Sequence, residues 1–345
     1  MTDPILSGTP ESWTRLPVQT LFSLSKSELD SLQLHWAQTR FGQLQDRIPA
    51  LDALAEKQGV KIIPDFETLA TILFTHQVYK NYPFAFIERK LFTELTRWLN
   101  KLTAHDLSSL DMRGVNTIDE WLTRLDEAGM FVFHSTGTSG KLSFFPRSQT
   151  EKEAWVEGTY TFLEAFMPGI RNLHLPVFWP AYRSGRQASM RLITHFGPAL
   201  AGDAAEYHSL FNAPMSADFM SLAMRMKHAQ EHGDLTAMDT IKAIFKTKGE
   251  IVTLKARRAG LTKAFFDKMV REYRGRRVFL MASATDLLDV ALEGLAVGQE
   301  QVFASNSVLL TGGGFKGRKE ISDWKEVLKK FYGVDQVFMS YGMTE

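Results

Sequence analysis

The sequence predicts an α/β fold with a substantially parallel sheet, entered through a mainly helical region over residues 1–129. Three observations carry this. From residue 130 onward, short apolar runs alternate with longer stretches of helical periodicity, the pattern of strands joined by crossover helices. Before residue 130 no such run stands out, and helix-opening motifs recur instead. Three of the apolar runs stop abruptly at glycine-rich or hydroxyl-rich breaks, around 135–140, 312–314 and 341–342.

Taken in order, a capping box predicts the first long helix, opening at Ser25 with Glu28 three residues on and Leu29, Leu32 and Trp36 on one face. Pro64 to Glu67 reads as another helix start, and Pro83 to Thr103 as one long helix carrying Phe86, Leu91, Leu95, Trp98 and Leu102. Thr117 and Glu120 form a second capping box, opening a short helix that leads into residue 130. Strand, tight turn and strand are expected over Met130–Phe133, 135–140 and Leu142–Phe145. A helix over Glu151–Phe166, stopped by Pro168 and Gly169, precedes a strand at Leu173–Phe178 and a loop at Trp179–Gly185 that feeds a helix. Helices follow at Met215–Lys227 and Leu261–Tyr273. The remaining strands are Val278–Met281, Val308–Leu310 and Val337–Met339, with helices at Asp286–Leu295 and Trp324–Phe331. The ligand is expected at the carboxyl ends of the strands, where open α/β sheets bind.

Composition narrows the classes of function. With 345 residues, 44% of them hydrophobic, the chain can bury a large core. A formal net charge of +1, without a basic run, recommends neither nucleic acid nor an anionic membrane as partner. The sequence has no cysteine, which excludes disulfides, thiolate metal sites and cysteine nucleophiles within it. Neither a signal peptide nor an apolar segment approaching ~20 residues is present, so a soluble cytoplasmic protein is expected.

The candidate site begins at Ser135-Thr136-Gly137-Thr138-Ser139-Gly140-Lys141. The glycines permit positive φ and close backbone approach, successive turn amides can form an anion nest, and Lys141 adds a cation. On its own, the loop is read equally well as a plain hairpin turn. It is not a Walker loop, which would need glycine at Ser135 and a hydroxyl at Leu142.

Joined to Tyr341-Gly342-Met343-Thr344-Glu345, the loop resembles the paired signatures of adenylate-forming enzymes: acyl-CoA ligases, luciferases and peptide-synthetase adenylation domains. Thr311-Gly312-Gly313-Gly314-Phe315-Lys316 is similar to a motif of acyl-protein synthetases, and the loop's ending to that branch and to phenylacetate-CoA ligases. The resemblance covers residues 60–345 and implies the large N-terminal domain of such an enzyme. It implies ATP and Mg²⁺, with Ser135 to Lys141 on the β- and γ-phosphates and Gly312 to Gly314 against the adenine. Tyr341 and Gly342 would lie at the base, Thr344 on the α-phosphate, and Glu345 on the metal. Thr344, Glu345 and Lys141 are the implied catalytic residues. The implied reaction is attack of a carboxylate on the α-phosphorus, giving acyl-AMP and pyrophosphate.

The chain departs from the family pattern in two ways. It ends on Glu345, before the expected ribose-binding aspartate, hinge and small C-terminal subdomain; either the sequence is incomplete or the protein works mainly with its large part. Self-acylation on cysteine, used by the luminescence acyl-protein synthetases, has no residue here, so the acceptor would be coenzyme A, a carrier-protein thiol or a reductase. The chain also resembles the adenylating proteins of phenazine biosynthesis, which activate a phenazine carboxylate before its reduction, and that resemblance implies an aromatic acid. Trp179, Tyr182 and Arg183 are the substrate candidates, with Arg183 or Arg186 available for a second carboxylate, or else ordinary core and surface residues.

Three other readings remain. Gly312, Gly314 and Gly317 satisfy a dinucleotide fingerprint, but Asp335 precedes the next strand instead of ending it. His228 and His232, one helical turn apart, match an inverted zinc-protease motif without a third ligand. The chain could also be a non-catalytic nucleotide- or acyl-binding partner of a larger reductase complex.

Overall fold

The computed structural model describes residues 8–135, 140–247, 250–312, 314–315 and 321–340, with backbone only at 243–247, 250–257 and 259. Five parallel strands form the central sheet, in the order β4-β3-β5-β6-β7: β3 Val177–Gly185, β4 Tyr207–Met215, β5 Phe279–Ser283, β6 Val308–Gly312 and β7 Val337–Met339. Strands β1 (Phe131–His134) and β2 (Phe144–Arg147) make a separate antiparallel hairpin.

Strand alternation decides which layer each residue joins. Val177, Trp179, Phe279, Val308 and Leu310 face one cluster with α6 (Gln149–Glu164) and α7 (Ala188–Ala201). Phe178, Leu280, Ala282 and Leu309 face the opposite cluster, built with α10 (Glu250–Glu272), α11 (Ala284–Ala296) and α12 (Trp324–Tyr332). Both faces are covered, as an all-parallel sheet requires.

The N-terminal region is helical among the described residues: α1 Lys26–Leu44, α2 Pro49–Gln58, α3 Phe66–Ile72, α4 Phe92–Leu99 and α5 Ile118–Glu127, with shorter turns between. The Ser25–Glu28 capping box forms in full. The single helix expected over Pro83–Thr103 does not. A short helix, Ala85–Glu88, ends at Lys90, whose φ is 57°, and the Leu91 amide bonds back to the Phe86 carbonyl at 2.7 Å. This left-handed end normally carries glycine, so lysine there gave no stop signal. At Thr117 only half of the capping box forms: its hydroxyl accepts from the Glu120 amide, while the Glu120 carboxylate accepts from Asn116.

The 130 boundary separates motifs but not cores. Trp121, Leu122 and Leu125 of α5 share one buried cluster with Val132, Leu142 and Phe144 of the hairpin and with Ala217 and Met224 of α8 (Ala217–Glu231). The amino end of α8 is fixed by an exchange of caps with α5. Asp119 accepts from the Ala217 amide, and Asp218 accepts from the Ile118 and Asp119 amides, each at about 3.0 Å. Two expectations near the sheet are corrected. Trp179–Gly185 is strand, not loop, because β3 continues against β4 through an irregular register at Trp179 to Tyr182. Strand β4 and helix α9 (Leu235–Thr247) had no sequence forecast. β4 is an edge strand whose Asn212 and Pro214 weaken its strand pattern, a mixture that edges tolerate.

Candidate functional site

The sheet parts at its switch point. From β3 the chain passes to β4 through α7 on one face, whereas β5, β6 and β7 are linked by α11 and α12 on the other. Strand order therefore reverses beside β3, the position at which open α/β sheets form a binding crevice. The strands also diverge there. β3 pairs with β5 only at Val177 and Phe178, while β5 continues with β6 as far as Ser283 and Gly312. Pro180 lies just past the divergence and has no amide to offer a neighbour.

Strand β1 is docked at the rim of this crevice. The His134 amide donates to the Arg186 carbonyl, and His134 bridges Gln187 in parallel sense, immediately after β3 ends. Arg191 of α7 locks the arrangement, donating to the Val132 carbonyl and, at 2.7 Å, to Asp126 of α5. The Ser135 amide donates to Ser143 across the base of the hairpin. Thr136, Gly137, Thr138 and Ser139 lie outside the described residues.

Lys141 is turned to the side of the hairpin. Its ammonium donates to the Tyr82 carbonyl and lies 4.2 Å from the centre of the Tyr82 ring. The Tyr82 hydroxyl in turn donates to Leu142 at 2.9 Å. Burial, and then the charge of Lys80, holds the Lys141 ammonium below the usual lysine range.

At the end of β6, a side-chain carbon on Gly312 would stand 3.0 Å from the Ser340 carbonyl, so glycine keeps this approach open. The Ser340 amide donates to the Thr311 carbonyl at 2.8 Å, tying β7's exit to that of β6. The Thr311 hydroxyl is buried without a partner among the described residues. Gly314 is described and exposed; Gly313, Tyr341, Gly342, Thr344 and Glu345 lie outside the described residues. Gly312 and Gly314 are the described members of the glycine motif at the end of β6, and the expected metal ligand is not among the described residues.

The three substrate candidates do not share one wall. Trp179 is buried, and its indole donates to the Tyr182 carbonyl. Tyr182 packs on Phe211 with ring centres 4.7 Å apart. Arg183 is bound to the Tyr207 and Ala204 carbonyls and lines a cavity of 680 Å³ between β4 and α10, together with Phe178, His208, Phe265 and Lys268. Arg186, the other expected carboxylate partner, already bonds Asp126 and Thr123.

Sequence reasoning missed His134. It is fully buried, and neither ring nitrogen has a hydrogen-bond partner among the described residues. Burial pushes the imidazole down to about 4, against an ordinary value of 6.5. The sign follows: above the ordinary value both states are neutral, and nothing is lost. As pH falls from there toward 4, the unfolded chain takes up a proton that the fold refuses, removing about 3 kcal/mol of stability. Urea midpoints measured near pH ~7.5 and ~5 should therefore differ more in the wild type than in His134→Leu. Equal pH dependence would overturn the assignment. A sequence signal existed: a histidine alternating with apolar residues at the inward positions of a strand.

His228 and His232 stack at 4.1 Å between ring centres, and no group of three His, Asp or Glu side chains suited to a metal occurs among the described residues. No helix among them is long and apolar enough to cross a membrane. No protein-family model matches this sequence, and no curated protein matches it.

Proposed function

We propose that the chain is the ATP-binding part of an adenylate-forming enzyme acting in the cytoplasm on an aromatic carboxylic acid, in the narrowest reading a phenazine carboxylate for antibiotic biosynthesis. The observation that carries the reading is the divergence of β3 from β5 at the switch point, with the end of β1 bridged to Gln187 just past β3 and Gly312 paired with Ser283 where β5 ends. In the reaction, a carboxylate oxygen bonds the α-phosphorus of ATP while the bond to the bridging oxygen breaks. Pyrophosphate leaves with that electron pair; the acyl group of the acyl-AMP then passes to coenzyme A, a carrier-protein thiol or a reductase, and AMP leaves.

The protein's part is clearance, donors and positioning, because two anions must be brought together. Gly312 lets the Ser340 carbonyl come close to the end of β6. Glu345 would hold Mg²⁺, which supplies charge neutralisation when bound. The test is carboxylate-dependent ATP–pyrophosphate exchange across aromatic, phenazine and long-chain acids, with exchange expected for an aromatic member.

One observation favours a second reading. Lys141, Arg183 and Arg186 all make bonds to protein groups, which suits a nucleotide- or acyl-binding partner without catalysis. ATP binding without exchange for any acid would select it.

A further inference from the structure

The edge of the sheet holds a cavity for which the adenylation reading has no task. Edge strand β4 and helix α10 stand apart over 680 Å³, within the roughly 300–1,000 Å³ of small-molecule clefts. The lining extends from Ala204, ahead of β4, to Asn212, short of that strand's carboxyl end at Met215. It shares no residue with the strand ends at Ser283 and Gly312, where the nucleotide is proposed.

Periodicity builds both walls. Leu261, Ala264, Phe265 and Lys268 recur at helical spacing on one face of α10. On β4, alternation sends His208, Leu210 and Asn212 to one side, facing them. Leu261 stays 38% exposed, apolar surface that the fold leaves uncovered.

One part of the lining is aromatic. Phe178 stacks on His208 with ring centres 4.8 Å apart and meets Phe265 edge-on at 6.1 Å. Another part is cationic. Arg183 donates to the Tyr207 and Ala204 carbonyls, and the Tyr207 hydroxyl donates back to the Arg183 carbonyl at 2.8 Å. The guanidinium is thus held in place, and its other N–H groups have no acceptor among the described residues. Lys268 meets Glu272 only at 3.8 Å, too far for a hydrogen bond. Burial holds the His208 imidazole below its usual range against the pull of Glu206, and the charges of Lys268 and Arg183 act with burial, so both cations lie near one ring. No carboxylate lines the cavity; Glu206, beside it in sequence, is met by His208 at 3.8 Å and Arg276 at 3.5 Å.

We propose that this cavity is a second binding site, taking a flat aromatic molecule that bears a carboxylate. Its ring would lie against Phe178 and Phe265, and its carboxylate between Arg183 and Lys268. The guanidinium offers a fixed planar fork and the ammonium a mobile point charge, a pairing suited to the two oxygens of a carboxylate. Arg183 then serves this site instead of the acid-activating one, and the inference does not rest on the adenylation reading.

The experiment is titration calorimetry of the full chain with naphthoate and with its neutral counterpart naphthamide, for wild type, Ala264→Trp and Lys268→Gln, alongside melting temperatures. Ala264 and Lys268 are exposed, so both variants should melt as the wild type does. The wild type should bind naphthoate at least about tenfold more tightly than naphthamide. Lys268→Gln should weaken naphthoate about fivefold, the scale of one exposed charge pair, and leave naphthamide unchanged. Ala264→Trp, which fills the cavity, should abolish naphthoate binding. Wild-type affinity in Ala264→Trp overturns the inference, because it puts the ligand elsewhere. Equal binding of the acid and the amide overturns it as well, since the cations then select nothing, and so does failure of the wild type to bind naphthoate. None of these outcomes bears on ATP–pyrophosphate exchange, so the two readings fail separately.

Discussion

Arg191→Leu is expected to lower the unfolding free energy by about 3–5 kcal/mol. Arg191 is 8% exposed and makes three bonds to two partners: the Val132 carbonyl, twice, and Asp126. Leucine would fill much of the space but leave a strand carbonyl buried without a donor and Asp126 with Arg186 alone. Lysine keeps the charge but loses the fork, so Arg191→Lys should fall between. Urea unfolding at neutral pH measures both. A loss below about 1 kcal/mol would mean that Arg186 alone suffices to hold Asp126.

The second large effect concerns the chemistry. Glu345→Gln is expected to reduce ATP–pyrophosphate exchange by at least about a hundredfold, the scale on which removing one electrostatic stabiliser acts. Glutamine keeps the shape of the side chain but cannot offer Mg²⁺ a charged oxygen. ATP binding measured without metal should change little, which separates loss of the metal from loss of the nucleotide. Exchange at the wild-type rate would remove Glu345 from the metal's ligands.

Much of the fold was legible in the sequence because burial on both faces of a parallel sheet writes continuous apolar runs. Val278–Met281, Val308–Leu310 and Val337–Met339 each fall on or within one residue of a strand. What escaped had weak local signals. Lys90 ends a helix in the conformation usual for glycine, and β4 lies at an edge where polar residues and proline are tolerated. Nor could spacing show that β3 and β5 part after Phe178, since that depends on which strands become neighbours. The candidate site was read from three motifs, of which Ser135, Gly140, Lys141, Thr311, Gly312, Gly314 and Phe315 are among the described residues. Their surroundings were not legible: Lys141 on Tyr82, Arg186 on Asp126, and His228 against Gly140 are contacts across 59, 60 and 88 residues of chain.

The exchange of aspartates between α5 and α8 bears on the order in which the protein can assemble. Each helix has its first amides satisfied by a carboxylate from the other, across 98 to 100 residues of sequence. Closing so long a span is costly before any contact rewards it. Neither helix start is complete until the intervening hairpin, α6, β3 and α7 are in place. The helical N-terminal region is therefore expected to fold late and together with the sheet, and a fragment ending at residue 129 should be largely unfolded by circular dichroism.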